Sequence, residues 1–173
     1  KSHYPAEFMA AVMTSELGNA EKVAFFLEEC RNIGIKVLPP SINKSKVYFS
    51  VENGDIRFAL GAIKGVGTSA SETIVKIREQ GEYESFMDLC ERVGHTNVSR
   101  KVLEGIIASG GMDQFGNKRS ALTQFIDRAL EHSSSKANDL AMGQMSLFAE
   151  VEEINTISPD DSMPEWDLRY KLD

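Results

Sequence analysis

Gly65 and Gly67 stand one residue apart, between the apolar approach Leu60-Gly61-Ala62-Ile63 and an amphipathic run that begins at Thr68. Glycine enters backbone conformations that a Cβ forbids, so this spacing allows a very tight turn between two short helices. The first N–H groups of the second helix have no intrahelical acceptor, and the helix macrodipole is positive there. Backbone donors around Gly65, Val66, Gly67, Thr68 and Ser69 can therefore receive a phosphate. Ile74, Val75 and Ile77 give the second helix a buried side, while Lys64, Lys76 and Arg78 add positive charge nearby. The stretch is not a dinucleotide fingerprint, because the third glycine and the distal acid are missing. Nor is it a P-loop, because no Gly-Lys-Ser/Thr follows.

The pattern reads as a helix-hairpin-helix, a motif that grips a nucleic-acid backbone without reading its sequence. The plainer alternative is a packing turn ahead of a helix. What precedes the glycines determines how they are delivered. Val47, Phe49 and Val51 alternate with Tyr48 and Ser50, and Ile56, Phe58 and Leu60 alternate with Arg57 and Ala59. Asn53-Gly54 lies between the two runs, and Asn-Gly is the strongest short hairpin signal. A β-hairpin is thus predicted to feed directly into the glycine stretch.

Upstream, Pro5 suits a first helical position. Phe8/Val12 and Met9/Met13 pair at i,i+4 in a helix over about 5–17. Asn19 can cap a second helix striped by Val23, Phe26, Leu27 and Cys30 and stopped at Gly34. Ile35 to Leu38 is a short strand closed by Pro39-Pro40. Downstream of a helix over about 68–79, Ser85 can cap a helix carrying Phe86, Leu89, Cys90 and Val93, and another helix runs from Val98 to Ala108. A second glycine-rich turn, 109–116, leads into a helix over about 117–131, whose rows are Ala121/Phe125/Ala129 and Leu122/Ile126/Leu130. The helix–glycine turn–helix layout therefore occurs twice. Lys118 and Arg119, at the start of the last helix, can reach phosphate, although such charges are commonly just a solvated face. The predicted fold is mainly α with a small β-hairpin, a tandem helix-hairpin-helix module and a disordered or extended C-terminal tail.

The net charge is −7, so any nucleic-acid binding must be local rather than a property of the whole chain. Cys30 and Cys90 lie on apolar stripes with no metal-ligand spacing around them and read as small buried groups in a reduced, cytosolic setting. No apolar run is long enough for a membrane span, and no signal peptide is evident. Absence of an initial Met and an ending in mid-pattern suggest a fragment of something larger. His3, His95 and His132 are scattered, so no nucleophile–base arrangement can be built from them.

Beyond His132 the composition changes. Ser133 to Asp139 reads as a flexible linker, and 149–165 is acidic and poor in core residues. One island, Gly143-Gln144-Met145-Ser146-Leu147-Phe148, interrupts this stretch. Leu147 and Phe148 could fill an apolar pocket on a partner, with the Gln144 amide bonding beside it, or could pack back onto the helical domain. Buried apolar anchors supply most of the energy of such short contacts.

Several segments, in order, carry a more specific resemblance. Tyr4 to Ala11, Cys30 to Asn43, Ile56 to Gly67, Phe86 to Val93, Ala108 to Asp113 and Gly143 to Phe148 resemble the alpha subunit of bacterial DNA polymerase III, the C-family replicative polymerase. The resemblance covers most of 1–148. It implies that 1–59 is the end of a fingers region with its short β-hairpin, that 60–132 is a helix-hairpin-helix DNA-binding module, and that 133–173 is a linker carrying a clamp-binding motif. By position, Lys64, Gly65, Val66 and Gly67 would hold the phosphates of duplex DNA. Gln144, Met145, Ser146, Leu147 and Phe148 would dock on the ring-shaped sliding clamp, the beta subunit. Ser71 departs from the hairpin consensus, where a small Ala is usual.

The family's catalytic aspartates belong to a palm domain expected upstream of Lys1. Asp160-Asp161 is no substitute for them, so this section is not expected to polymerise by itself. The Mg2+ of the parent enzyme would be held elsewhere, and no cofactor is expected in this part. Its implied partners are duplex DNA, the clamp and the remaining polymerase domains, with no membrane, in a bacterial cytoplasm. A rival of a different class is a purely structural module in which the glycine turns are packing joints without DNA contact.

Overall fold

The computed structural model describes residues 3–94, 97–141 and 159. Helix α1 spans Pro5–Ser15 with its proline in the first turn, and α2 spans Ala20–Asn32. Asn19 caps α2 by accepting the Lys22 N–H at 3.1 Å. Strands β1 (Val37–Leu38), β2 (Ser50–Glu52) and β3 (Asp55–Arg57) form a sheet in the order β1-β3-β2. β2 and β3 are antiparallel, with Val51 opposite Ile56, and β1 joins β3 in parallel. Asn53 and Gly54 take φ +53° and +87°. These left-handed values are those of a primed two-residue turn, whose twist matches the strands it connects.

The strands are shorter than the alternation predicts. Past Arg57 the chain turns through a 3₁₀ turn at Leu60–Ala62. The Leu60 and Gly61 N–H groups still bond the Lys46 and Val47 carbonyls at 2.9 and 3.0 Å, which holds the ribbon together up to the glycines. Helix α3 follows at Gly67–Arg78, then α4 (Phe86–Val93), α5 (Arg100–Ala108), a 3₁₀ turn at Asp113–Phe115, and α6 (Arg119–Ala141). Ser85 caps α4 by accepting the Asp88 N–H at 3.1 Å. The mainly helical fold with a small β-hairpin is thus present.

One expectation is corrected. Residues 133–139 are not a flexible linker, because α6 continues through them to Ala141. Ser133 is buried and returns its hydroxyl to the Leu130 carbonyl at 2.9 Å. Lys136 reaches Glu91 of α4 at 2.7 Å. The buried Ser133 hydroxyl is thereby satisfied inside its own helix, and packing against α4 holds this part of the helix in place. The predicted tail beyond Ala141 lies outside the described residues, except Pro159.

Two hydrophobic clusters organise these elements. The first joins α1, α2 and the sheet through Ala6, Met9, Met13, Val23, Cys30 and Ile56. The second is built from Leu60, Ile63, Val66, Ile74, Tyr83, Phe86, Leu89, Ile106, Ile107, Leu122, Phe125 and Ile126. Phe58 packs against both. Ile42 lies in the second cluster, where its N–H donates to the Gly111 carbonyl at 2.7 Å. Arg78 ends α3 by donating to the Ile42 and Ser45 carbonyls at 2.6 and 2.9 Å. Its charge is therefore spent on the loop, not presented to a ligand.

Arg92 knits α3 to α4. It donates to the carbonyls of Ile77, Gly81 and Glu82 at 3.0, 2.8 and 3.1 Å, and its guanidinium lies 4.6 Å from the centre of the Tyr83 ring. Hydrogen bonds from a charged donor are worth about 1.5–3 kcal/mol each when lost. Arg92→Ala should lower unfolding free energy by at least about 2 kcal/mol, read as a fall in the urea midpoint with little change in slope.

Burial also makes the second cluster sensitive to alkali. It raises the Tyr83 phenol from 10.0 to about 12, partly offset by Arg92 and Arg78. It raises the Cys90 thiol from 9.0 to about 12, with Glu91 adding to the shift. Both groups are favoured neutral in the fold. Their contribution to stability is complete below about pH 9 and is lost as pH rises through that value toward about 12. Urea midpoints measured from pH 7 to 11 should be level up to about 9 and then fall. The fall should be shallower in Cys90→Ala, which has no thiol to ionise.

Candidate nucleic-acid interface

The glycine hairpin sits at an exposed corner of the second cluster. Gly65 takes φ +87° and Gly67 φ +71°, both in the left-handed region where a side chain is strained. The first leg is the 3₁₀ turn Leu60–Ala62 rather than the short α-helix expected from the sequence. Its brevity follows from the ribbon, because Leu60 and Gly61 remain paired to Lys46 and Val47. The second leg is α3, as expected. Its cap residue is Val66, which has no side-chain acceptor for the first turn. Helix geometry leaves the leading N–H groups, those of Gly67, Thr68 and Ser69, without intrahelical acceptors.

The predicted residues divide by role. Lys64, Gly65, Gly67, Thr68 and Ser69 are exposed. Val66 is buried, so only its backbone faces the hairpin while its side chain anchors the turn in the core. Ser71 is fully buried and gives its hydroxyl to the Gly67 carbonyl at 2.6 Å. The serine that departs from the consensus is thus satisfied locally, on the hairpin itself.

Two further glycines let backbone approach backbone around the turn. A Cβ on Gly61 would stand 2.8 Å from the Val47 carbonyl oxygen, and one on Gly105 of α5 would stand 2.7 Å from the Lys64 carbonyl oxygen. The hairpin is seated between the β-ribbon and α5. Lys101, one turn before Gly105 on the same face of α5, lies against Gly65. Its Cγ and Cε are both 3.4 Å from where a Gly65 Cβ would be. The linear sequence does not reveal this lysine as a hairpin residue, because Lys101 is 36 positions from Gly65 (101 − 65) and only tertiary packing joins them.

The second glycine turn is built differently. Gly110, at φ +83°, leaves room for the Arg119 guanidinium. Arg119 binds both carboxylate oxygens of Asp113, at 2.8 and 2.5 Å, and the Ala108 carbonyl at 3.1 Å. A bidentate arginine–carboxylate pair of this kind fixes geometry as well as charge. Arg119 therefore closes its own turn, neutralised by Asp113. Lys118 is half-buried, and its carbonyl accepts the Leu122 N–H at 3.0 Å. Gln144, Met145, Ser146, Leu147 and Phe148 lie outside the described residues. Among the described residues no helix is long and apolar enough to cross a membrane. No group of three or more His, Cys, Asp or Glu among them is placed to hold a metal ion.

Two substitutions separate backbone strain from close packing. Gly67→Ala meets no neighbour within 4 Å, so its cost should be the left-handed strain of about 1–2 kcal/mol. Gly105→Ala gains helix propensity of about 1 kcal/mol but forces the Lys64 carbonyl away, and overpacking costs about 1–3 kcal/mol. Urea denaturation should therefore show both variants to be destabilised, with the Gly105→Ala loss net of the propensity gain. A stabilised Gly105→Ala would contradict the close approach.

The family described as a helix-hairpin-helix motif matches residues 34–122, just over half of the chain. Relatives called DNA polymerase III subunit alpha are 46% identical over 155 residues in Pasteurella multocida (strain Pm70) and 46% over 159 residues in Bacillus subtilis (strain 168). That of Escherichia coli (strain K12) is 43% identical over 155 residues. These matches cover 88%, 92% and 88% of the chain but span only 13%, 14% and 13% of the relatives. The chain belongs to the helix-hairpin-helix motif family and corresponds to a segment of DNA polymerase III alpha subunits.

Proposed function

We propose that this chain is the non-catalytic section of a replicative DNA polymerase that holds the backbone of duplex DNA without reading its sequence. The observation that carries this reading is the exposed hairpin. Gly65 and Gly67, in left-handed conformation, present the leading N–H groups of α3 beside Lys64. Phosphate suits that end of a helix because the donors point outward and the macrodipole adds positive potential. Backbone donors do not distinguish bases, so the contact positions duplex without specifying sequence. The family match and the names of the relatives support this reading. Polymerisation and its Mg2+ belong to other parts of such an enzyme. Lys118 and Arg119 would at most contribute at the edge of the second turn, since Arg119 is already occupied by Asp113.

The same proposal gives Gln144, Met145, Ser146, Leu147 and Phe148 the task of tethering the polymerase to the sliding clamp, with Leu147 and Phe148 as anchors. Two weak contacts on one chain reinforce each other through effective concentration, which suits processive copying. A second reading, a purely structural module, draws on the net charge of −7 and on the close-packed glycines at 61 and 105.

Duplex DNA titrations across salt concentrations decide between the readings. Gly65→Val/Gly67→Val should weaken binding and flatten the salt dependence, whereas equal affinity and slope would favour the structural module. For the tether, a peptide covering 140–150 should bind the clamp, and its Leu147→Ala/Phe148→Ala form should not. Absent or equal binding would remove that half of the proposal.

A further inference from the structure

We propose that Lys101 is a phosphate-contacting residue of the hairpin, supplied by a different helix from the one that carries the glycines. This inference deepens the duplex-binding reading above and rests on it. Lys101 is exposed, and its stem crosses the bare Cα of Gly65, with Cγ and Cε both 3.4 Å from the missing Cβ position. The ammonium is one bond beyond Cε, so the stem delivers the charge to the side of the hairpin that a side chain at 65 would cover. Gly65 therefore serves two ends: it permits the left-handed turn, and it leaves the track along which Lys101 lies.

The charge is also left available. Glu104 is three residues from Lys101, within reach on a helix surface. Arg100 takes it instead, at 2.7 Å, and also pairs with Asp127 of α6. Among the described residues Lys101 and Lys64 form no ion pair, unlike Arg57, Arg92, Arg100 and Arg119. In a chain of net charge −7, two ammonium groups without an ion-pair partner among the described residues, Lys64 on the glycine turn and Lys101 on α5 beside it, form a local positive site. Lys101 and Gly105 share the α5 face that seats the hairpin, so the lysine's position is set by the same packing that sets the turn. Lysine acts as a point charge with rotatable donors, which fits a backbone phosphate rather than a base edge.

The test is duplex DNA binding by the whole chain, measured from low to moderate salt, with Lys101→Met, Lys101→Arg, Lys64→Met and a distant control, Lys36→Met. Methionine keeps an unbranched stem over Gly65 and removes only the charge. Lys101→Met should weaken binding several-fold and reduce the magnitude of the salt slope by about 1, the loss of one phosphate contact. Lys101→Arg should keep the slope, Lys64→Met should lower it, and Lys36→Met should not change it. Matching thermal midpoints would show that the variants remain folded. If Lys101→Met keeps the parental slope while Gly65→Val/Gly67→Val loses affinity, the Lys101 assignment is wrong and the hairpin reading survives. If the parental chain shows no duplex binding at low salt, both are wrong.

Discussion

The glycine hairpin depends on two places where backbone meets backbone with nothing between. Gly61 lies against the Val47 carbonyl, and Gly105 lies against the Lys64 carbonyl. A methyl group at either place would stand closer than 3 Å to an oxygen that belongs to a different element. Interiors are packed so closely that such a group must displace its neighbour. The two contacts wedge the turn between the β-ribbon and α5. Val66 then drives its side chain into the core below, so Lys64, Gly65 and Gly67 are held outward. Exposure of the leading α3 donors follows from this seating and not from the glycines alone.

Around the wedge, arginines do the joining. Arg57 binds Glu52 and the Pro39 carbonyl, Arg78 binds the Ile42 and Ser45 carbonyls, Arg92 gathers three carbonyls in the last turn of α3 and just beyond it, and Arg119 closes the second turn. A planar guanidinium with several donors suits carbonyls that loops would otherwise leave unsatisfied. Lysines carry less of this work, and the two at the hairpin carry none of it. This division explains how an acidic chain can keep positive charge at one corner. The arginines named above are engaged within the fold, while Lys64 and Lys101 are left exposed at the hairpin.

The glycine-rich turns look alike in sequence but do different things. At the first, positive φ at Gly65 and Gly67 opens a helix start outward. At the second, Gly110 makes space for Arg119 to reach Asp113. Nothing in the spacing of 109–116 reveals that, because the partner of Gly110 arrives nine residues later (119 − 110) and from the side. Ser133 to Asp139 misleads for a related reason. Serine-rich, polar composition reads as a linker, yet Ser133 bonds within α6 and Lys136 finds Glu91 on α4. Composition describes what a segment lacks, whereas a neighbouring helix determines whether it folds.

Local features were legible from the chain itself. Pro5 and Asn19 mark helix starts, Ser85 caps α4, Asn53-Gly54 makes the two-residue turn, and Gly65-Val66-Gly67 marks the hairpin ahead of α3. Each depends on backbone angles or hydrogen bonds spanning a few residues, which residue type alone can dictate. Tertiary structure decided what lies across the hairpin. It shortened the first leg to a 3₁₀ turn, because Leu60 and Gly61 stay paired to the ribbon, buried the Val66 side chain, committed Arg78 and Arg119 to the fold, and brought Lys101 from α5 onto Gly65. Those outcomes depend on which surfaces pack together over long sequence separations, and no local pattern around residue 65 contains that information.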